Sequence, residues 1–242
     1  MFPGWCPVEI ADKDIQIHND KPMTVNNIYD VIAEFKRKSS AYDRYISFDY
    51  CYNYFLRTKD LKEDIEKSCL TLGFYLASWG MYRGSSFLLQ KSVKHFEPTI
   101  RYISELDKSV WTIDVDNYNS ESMETIKSIY ANIKSLIVRN DNADLTLVTK
   151  ILLGVFGFVP AFDKYFRETF RSISNGQCGF NRLNTNSLSV IKSFYEANRT
   201  SIDNLSKQTF TTNFLTGEKT KINYPKAKIV DMYGFYSRIK KR

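Results

Sequence analysis

The sequence predicts an all-α fold, a helical bundle with one small β-hairpin at most, and three observations lead there. Apolar residues recur at three- and four-residue spacing through most of the 242 residues. Alternating apolar and polar residues flanked by a turn dipeptide occur in a single stretch, residues 210–224. Only 10 Gly and 6 Pro accompany 43% hydrophobic content, an ordinary globular composition that excludes collagen-like and disordered chains. A chain of this length can bury a sizeable core. We expect one helical domain over residues 1–242, of one lobe or of two with a cleft between them.

The elements follow in order. Thr24 stands as N-cap to a helix carrying Val25, Ile28, Ile32 and Phe35 and ending near Ser39 and Ser40. A second run, Tyr42 to Leu56, carries Tyr45, Phe48, Cys51, Tyr52 and Phe55. A third begins near Asp60 and includes Ile65, Cys69, Leu72 and Leu76. Gly80 and Gly84 interrupt the pattern in the segment WGMYRGSS. Helical spacing resumes at Ser86 and runs to Leu106, with a bend expected near Pro98. After a connection over 107–119, Ser120 and Glu124 open an amphipathic helix through Met123, Ile126, Ile129, Ile133 and Ile137.

Leu145 to Leu153 is apolar and periodic until Gly154 and Gly157, and Pro160 suits the first turn of a helix reaching about Ile173. A loop with Asn175, Gly176 and Gly179 precedes a helix over 187–206. Then comes the hairpin, with its turn at Thr216-Gly217, and a last helix from Pro225.

Composition narrows the chemistry. No apolar run approaches the 18 or so residues of a membrane span, so no membrane partner is expected. Residues 1–20 lack the basic-then-apolar order of a secretory signal, so the expectation is a cytoplasmic protein. The two histidines, His18 and His95, are far apart, and Cys6, Cys51, Cys69 and Cys178 show no CxxC spacing. We therefore expect no metal site, no cofactor, and cysteines that are reduced and buried. Any catalysis falls to carboxylate, lysine, tyrosine or amide groups.

The net charge is +7, and the 17 Phe, 16 Tyr and 3 Trp make 15% of the chain. Cations neutralise phosphates and rings stack on bases, so this pairing suits nucleic acid; an aromatic helical core with a solvated basic face accounts for it equally. Residues 218–242 hold eight Lys and Arg (219, 221, 226, 228, 238, 240, 241, 242) against two acids, a basic terminus suited to a phosphate backbone or simply to solvent.

The stretch Thr146 to Arg167, TLVTKILLGVFGFVPAFDKYFR, reads as helix, glycine break and second helix with Asp163 in its first turn. Free N–H groups and the helix dipole favour a carboxylate there. Departure of a nucleobase from deoxyribose leaves an oxocarbenium-like sugar, and a fixed anion beside C1′ stabilises that transition state. Capping its own helix is the plainer role for Asp163, and Lys150 alone reads as a surface lysine. A second group, Asp49 and Asn53 on one face of FDYCYNYF with Trp79, Tyr82 and Arg83 beyond it, could sandwich and read a flipped base. The same rings read as core equally well.

Pro160-Ala161-Phe162-Asp163, following Leu152-Leu153-Gly154-Val155-Phe156-Gly157, resembles the helix-hairpin-helix superfamily of DNA glycosylases. In that superfamily a glycine hairpin grips the DNA backbone, and an aspartate shortly after a proline, at the start of a helix, performs catalysis. Thr149-Lys150 matches a Ser/Thr-Lys pair that some members carry about a dozen residues upstream. Leu153 stands where the family hairpin has proline, Phe156 is a further departure, and the lysine precedes the glycines instead of following them.

The resemblance implies a monomeric DNA glycosylase without lyase activity. Asp163 would be catalytic, with Lys150 tuning the site or touching phosphate. Asp49, Asn53, Trp79, Tyr82 and Arg83 would form the base pocket, and Gly154, Gly157, Lys164 and Arg167 would meet the DNA backbone. The overall pattern is similar to divergent bacterial members, including those that remove modified cytosines from phage DNA in antiviral defence. A noncatalytic helical DNA-binding or adaptor protein would use the same basic terminus and hairpin without needing Asp163. A metal-dependent nuclease lacks the clustered acids it would require.

Overall fold

The structure, a computed structural model, describes residues 23–25, 27–37, 39–138 and 144–239. Cys6, His18, Lys240, Lys241 and Arg242 lie outside the described residues. The described residues form an all-α fold with one two-stranded antiparallel hairpin.

Two helices form the interior. α6 (Leu145–Phe156) is largely apolar, and each residue from Leu147 to Phe156 is buried, Thr149 and Lys150 included. Around it pack α2 (Ser47–Arg57), α3 (Ile65–Ser78) and α5 (Ser120–Ile137). The second, α10 (Lys226–Ile239), buries Ile229, Val230 and Met232 against α1 (Ile28–Arg37), α7 (Lys164–Ile173) and α9 (Arg199–Gln208). α4 (Glu97–Ser104) and α8 (Thr185–Ala197) complete the shell. The buried apolar side chains make one continuous cluster.

Several boundaries differ from the sequence expectation for definable reasons. α1 starts at Ile28, and the Thr24 hydroxyl turns instead to the carbonyl of Ala197. Asp64 caps α3 through the N–H of Lys67. The stretch from Ser86 is two 3-10 turns, Phe87–Gln90 and Val93–Phe96, before α4; Pro98 lies in the first turn of α4, where its missing N–H costs nothing, and bends nothing. Asn119 and Ser122 form the capping box of α5, in place of Ser120 and Glu124. The helix expected over 187–206 is broken at Asn198, whose amide donates to the carbonyls of Met23 and Phe194 and accepts from the N–H of Val25.

Gly154 does not break α6. Only Gly157, at φ +75°, ends it. Pro160 does not begin α7 either; residues 157–163 run outside helix, and Asp163 caps α7 at Lys164. β1 (Phe210–Thr212) and β2 (Lys219–Asn223) pair with Phe210 opposite Asn223 and Thr212 opposite Lys219, with an irregularity between.

Candidate functional site

The connection between α6 and α7 is fixed from three sides, and this positions Asp163. Thr149 Oγ1 accepts from the N–H of Phe162 at 2.9 Å, and Thr146 Oγ1 donates to the Phe162 carbonyl at 3.0 Å. Asp231, on α10, accepts from the N–H of Ala161 at 3.0 Å. The Phe162 ring lies parallel to Phe166 with centroids 5.4 Å apart. Asp163 Oδ1 then accepts from the N–H of Phe166 at 3.0 Å, the N-cap bond that satisfies one of the free donors of α7.

The other oxygen, Oδ2, faces Lys150 Nζ at 3.5 Å, with the lysine side chain 4% exposed and the aspartate 14%. Burial pulls the Lys150 amine below the usual lysine range, opposed by the charges of Asp163 and Asp231 and reinforced by Lys228. Lys228 Nζ pairs with Asp231 Oδ2 at 2.8 Å, and both side chains are buried. The two ammonium groups flank one ring: Lys150 lies 4.9 Å and Lys228 4.6 Å from the Trp79 centroid. Tyr45 and Phe235 pack on that ring at 5.2 and 5.7 Å, and the indole Nε1–H is buried with no hydrogen-bond partner among the described residues.

Two ion pairs around an indole are costly to build, because taking each charge out of water forfeits several kcal/mol of hydration. Clusters of this kind occur at functional sites more than elsewhere. The arrangement can hold a carboxylate at fixed orientation beside a buried amine, with the exposed edge of Asp163 open to an approaching cationic centre. Among the described residues no group of three His, Cys, Asp or Glu could hold a metal ion.

The structure thus brings together Asp163, Lys150 and Trp79. Tyr82 is half-buried with its hydroxyl unpartnered among the described residues, and burial raises its phenol. Arg83 is exposed, and its Nε would lie 2.9 Å from a Cβ at Gly80, so the guanidinium folds over that turn.

Asp49 and Asn53 go elsewhere, which corrects their expected role in reading a base. Asp49 is fully buried and accepts from the N–H of Thr212 at 2.7 Å and from Tyr224 Oη at 2.5 Å. Asn53 donates to the Thr212 carbonyl and accepts from Thr211 Oγ1. Both side chains spend their polar atoms clamping the hairpin to α2. Burial, countered by Tyr224, Lys36 and Thr212, raises the Asp49 carboxyl.

Gly154 and Gly157 also need correction. Both are buried, Gly154 against Tyr75 and Gly157 against Pro225 and Tyr52, and the Gly157 N–H is already bonded to the carbonyls of Leu152 and Leu153. Neither offers an amide to a phosphate. Lys164 is exposed on α7, 3.9 Å from Glu168, and Arg167 is half-buried with Nε unpartnered among the described residues. Of the basic terminus, Lys228 is interior and Lys226 pairs with Asp116 at 2.5 Å, so neither is a free surface cation.

Sequence reading missed Lys228, Asp231, Tyr45 and Phe235. The Lys228 to Asp231 spacing, i to i+3 on one helix, was the available signal.

Cys51, Cys69 and Cys178 are unpaired and buried, and His95 Nε2 bonds the carbonyl of Ile137. No helix of the described residues is long and apolar enough to cross a membrane. Comparison with family models, with curated proteins and with solved structures finds no match to this chain.

Proposed function

We propose that the protein is a monofunctional DNA glycosylase that excises a modified or damaged base by hydrolysis of its N-glycosidic bond. The observation that carries this reading is the carboxylate of Asp163, capped by a backbone N–H on one oxygen, facing the buried amine of Lys150 with the other, and still partly open to solvent. A target nucleotide would be turned out of the duplex at a cost of a few kcal/mol, offset by stacking and hydrogen bonds to the extruded base. As the bond from C1′ to the base breaks, its electron pair leaves with the base, and the sugar acquires positive charge that Asp163 stabilises. Water then adds to C1′ and gives up its proton to Asp163, and that same proton neutralises the departed base anion and restores the carboxylate.

Lys150 sets the electrostatics of Asp163, and Thr149 and Asp231 position the segment that presents it. Exposed Lys164 and the neighbouring Arg167 would meet phosphate. The likeness of residues 146–167 to helix-hairpin-helix glycosylases supports the assignment, and the setting, repair or defence against viral DNA, rests on that likeness alone.

A noncatalytic DNA-binding or adaptor role is the second reading, favoured by one observation: Lys228 and Asp231 are interior and satisfied within the protein, as a purely structural tie between α10 and the α6–α7 connection would be. The two are separated by incubating the protein with DNAs carrying different modified bases and assaying released bases by mass spectrometry. Excision leaving abasic sites without strand scission supports the glycosylase. Wild type and Asp163→Asn with equal biological activity and no released base would favour the second reading. Borohydride trapping of a DNA adduct would add lyase chemistry at Lys150 and contradict the monofunctional assignment.

A further inference from the structure

A large hollow among the described residues has a lining that does not include Asp163. A trough of about 1000 Å³ runs between one face of α2 (Ser47, Tyr50, Tyr54, Arg57) and one face of α3 (Lys67, Leu70, Phe74, Ser78), closed on its side by the hairpin tip. Its nearer end adjoins the ionic cluster, because lining residues Ile46 and Ser78 directly follow and precede Tyr45 and Trp79.

Three features of its wall need an occupant. Five of the seven large exposed apolar side chains among the described residues collect here: Tyr42 is fully exposed, Phe74 68%, Phe214 74% and Leu215 90%, with Leu70 beside them. Such a concentration marks a contact surface. Cations stand at both ends. Arg44 precedes α2, whereas Arg57 ends α2 beside Lys67 in the first turn of α3, and neither Arg57 nor Lys67 has an ion-pair partner among the described residues. The lining acid, Asp43, is occupied by the N–H of Ser40. Finally, Ser47 is 3% exposed and lines the trough, and its Oγ has no hydrogen-bond partner among the described residues.

The spacing of these groups selects the occupant. α2 is 11 residues long, about 16 Å at 1.5 Å per residue, so the cations bracket a length of that order. A fatty acid or other single-headed amphiphile requires a cation at one end only. A strand of nucleic acid carries a charge at every residue, and 16 Å spans about five nucleotides at a stacked spacing of about 3.4 Å. Exposed rings between cations are the stacking platforms and backbone anchors that proteins use for unpaired strands.

We propose that this trough binds unpaired DNA, with bases stacked on Tyr42, Phe74 and Phe214 and phosphates met by Arg44, Arg57 and Lys67. The biological setting rests on the DNA glycosylase reading above, in which an enzyme that opens a duplex must hold unpaired nucleotides. The binding itself does not.

The test is a fluorescence-anisotropy titration of a fluorescein-labelled 12-nucleotide oligo-dT, with a 12-base-pair duplex as competitor. The wild type binds the single strand more tightly than the duplex. Phe74→Ala and Phe214→Ala, both on exposed side chains, each weaken binding about 5- to 100-fold with unfolding midpoints unchanged. Arg57→Gln weakens binding and shallows the slope of log K against log salt by about 0.7. Asp163→Asn leaves all of this intact.

Absent binding, equal preference for duplex, or variants that bind as wild type overturn the proposal. So does self-association in sedimentation that Phe74→Ala abolishes, which would assign the trough to a second copy of the chain. Base release is scored separately: excision without trough-dependent binding sinks this site and spares the enzyme reading, and the reverse result spares the site alone.

Discussion

Gly154→Ala is a sharp test of how the interior positions Lys150. A Cβ at Gly154 would lie 2.3 Å from Tyr75 Cε1, 2.7 Å from Cζ and 2.8 Å from Cδ1. Tyr75 is 1% exposed, and its hydroxyl donates to the Lys150 carbonyl at 3.1 Å, so the ring cannot withdraw without breaking that bond. Overpacking costs about 1–3 kcal/mol, an unpartnered buried phenol about another 1–3, and the better helix propensity of alanine returns about 1. The net expectation is destabilisation by about 1–5 kcal/mol, read as a lower midpoint in urea unfolding followed by circular dichroism. In a Tyr75→Leu background the clash is relieved and the cost of the alanine shrinks. A Gly154→Ala protein as stable as wild type, or more so, would refute the packing described here and reopen a role for Gly154 at the surface.

Other predictions concern the hairpin, the last helix and the buried amine. Asp49→Ala strands the Thr212 N–H and the Tyr224 hydroxyl, so it should cost about 2–5 kcal/mol in chemical unfolding and speed amide exchange in β1. Asp114 accepts from the N–H groups of Lys226 and Ala227 at the start of α10, and Asp114→Ala should lower stability by about 1–2 kcal/mol, measured in the same way. For Lys150, burial lowers the folded-state pKa below the 10.5 of an ordinary lysine. Between those two values the unfolded chain holds the extra proton, so the contribution of Lys150 to stability increases as pH rises through that window. The stability difference, wild type minus Lys150→Met, should therefore climb as pH rises toward 10.5; a flat or falling difference there would contradict the sign.

The fold class was legible because helical periodicity survives without tertiary context: α5 lies where its apolar spacing puts it, and α3 and α7 lie within the runs expected for them although both begin later than Asp60 and Pro160. Boundaries were less legible where side-chain capping decides them. Asp163 and Asn119 begin helices through hydrogen bonds that compete with nearby prolines and serines, and spacing does not rank those competitors. At the candidate site, the helix-start position of Asp163 was legible from one local segment, whereas Lys150, which alone reads as a surface lysine, is buried, and Lys228 and Asp231 were hidden in a terminus rich in basic residues. Asp49 and Asn53 looked like base-reading groups because their partners, Thr211, Thr212 and Tyr224, are more than 150 residues away. Polar residues on an aromatic helix satisfy a distant hairpin as readily as a ligand, and only the fold shows which.

The central claim is that Asp163 stabilises a sugar cation, and base release by Asp163→Asn measures it most directly. Asparagine keeps the cap on α7 while the anion is removed; because buried Lys150 then loses its partner, stability should fall, whereas the DNA affinity of the folded protein should change little. With DNA bearing the excised base, wild type should liberate free base and leave abasic sites, and Asp163→Asn should release at least a hundredfold less, in keeping with the loss of about 3 kcal/mol or more of transition-state stabilisation. A folded, DNA-binding Asp163→Asn protein that frees the base at the wild-type rate would contradict the account.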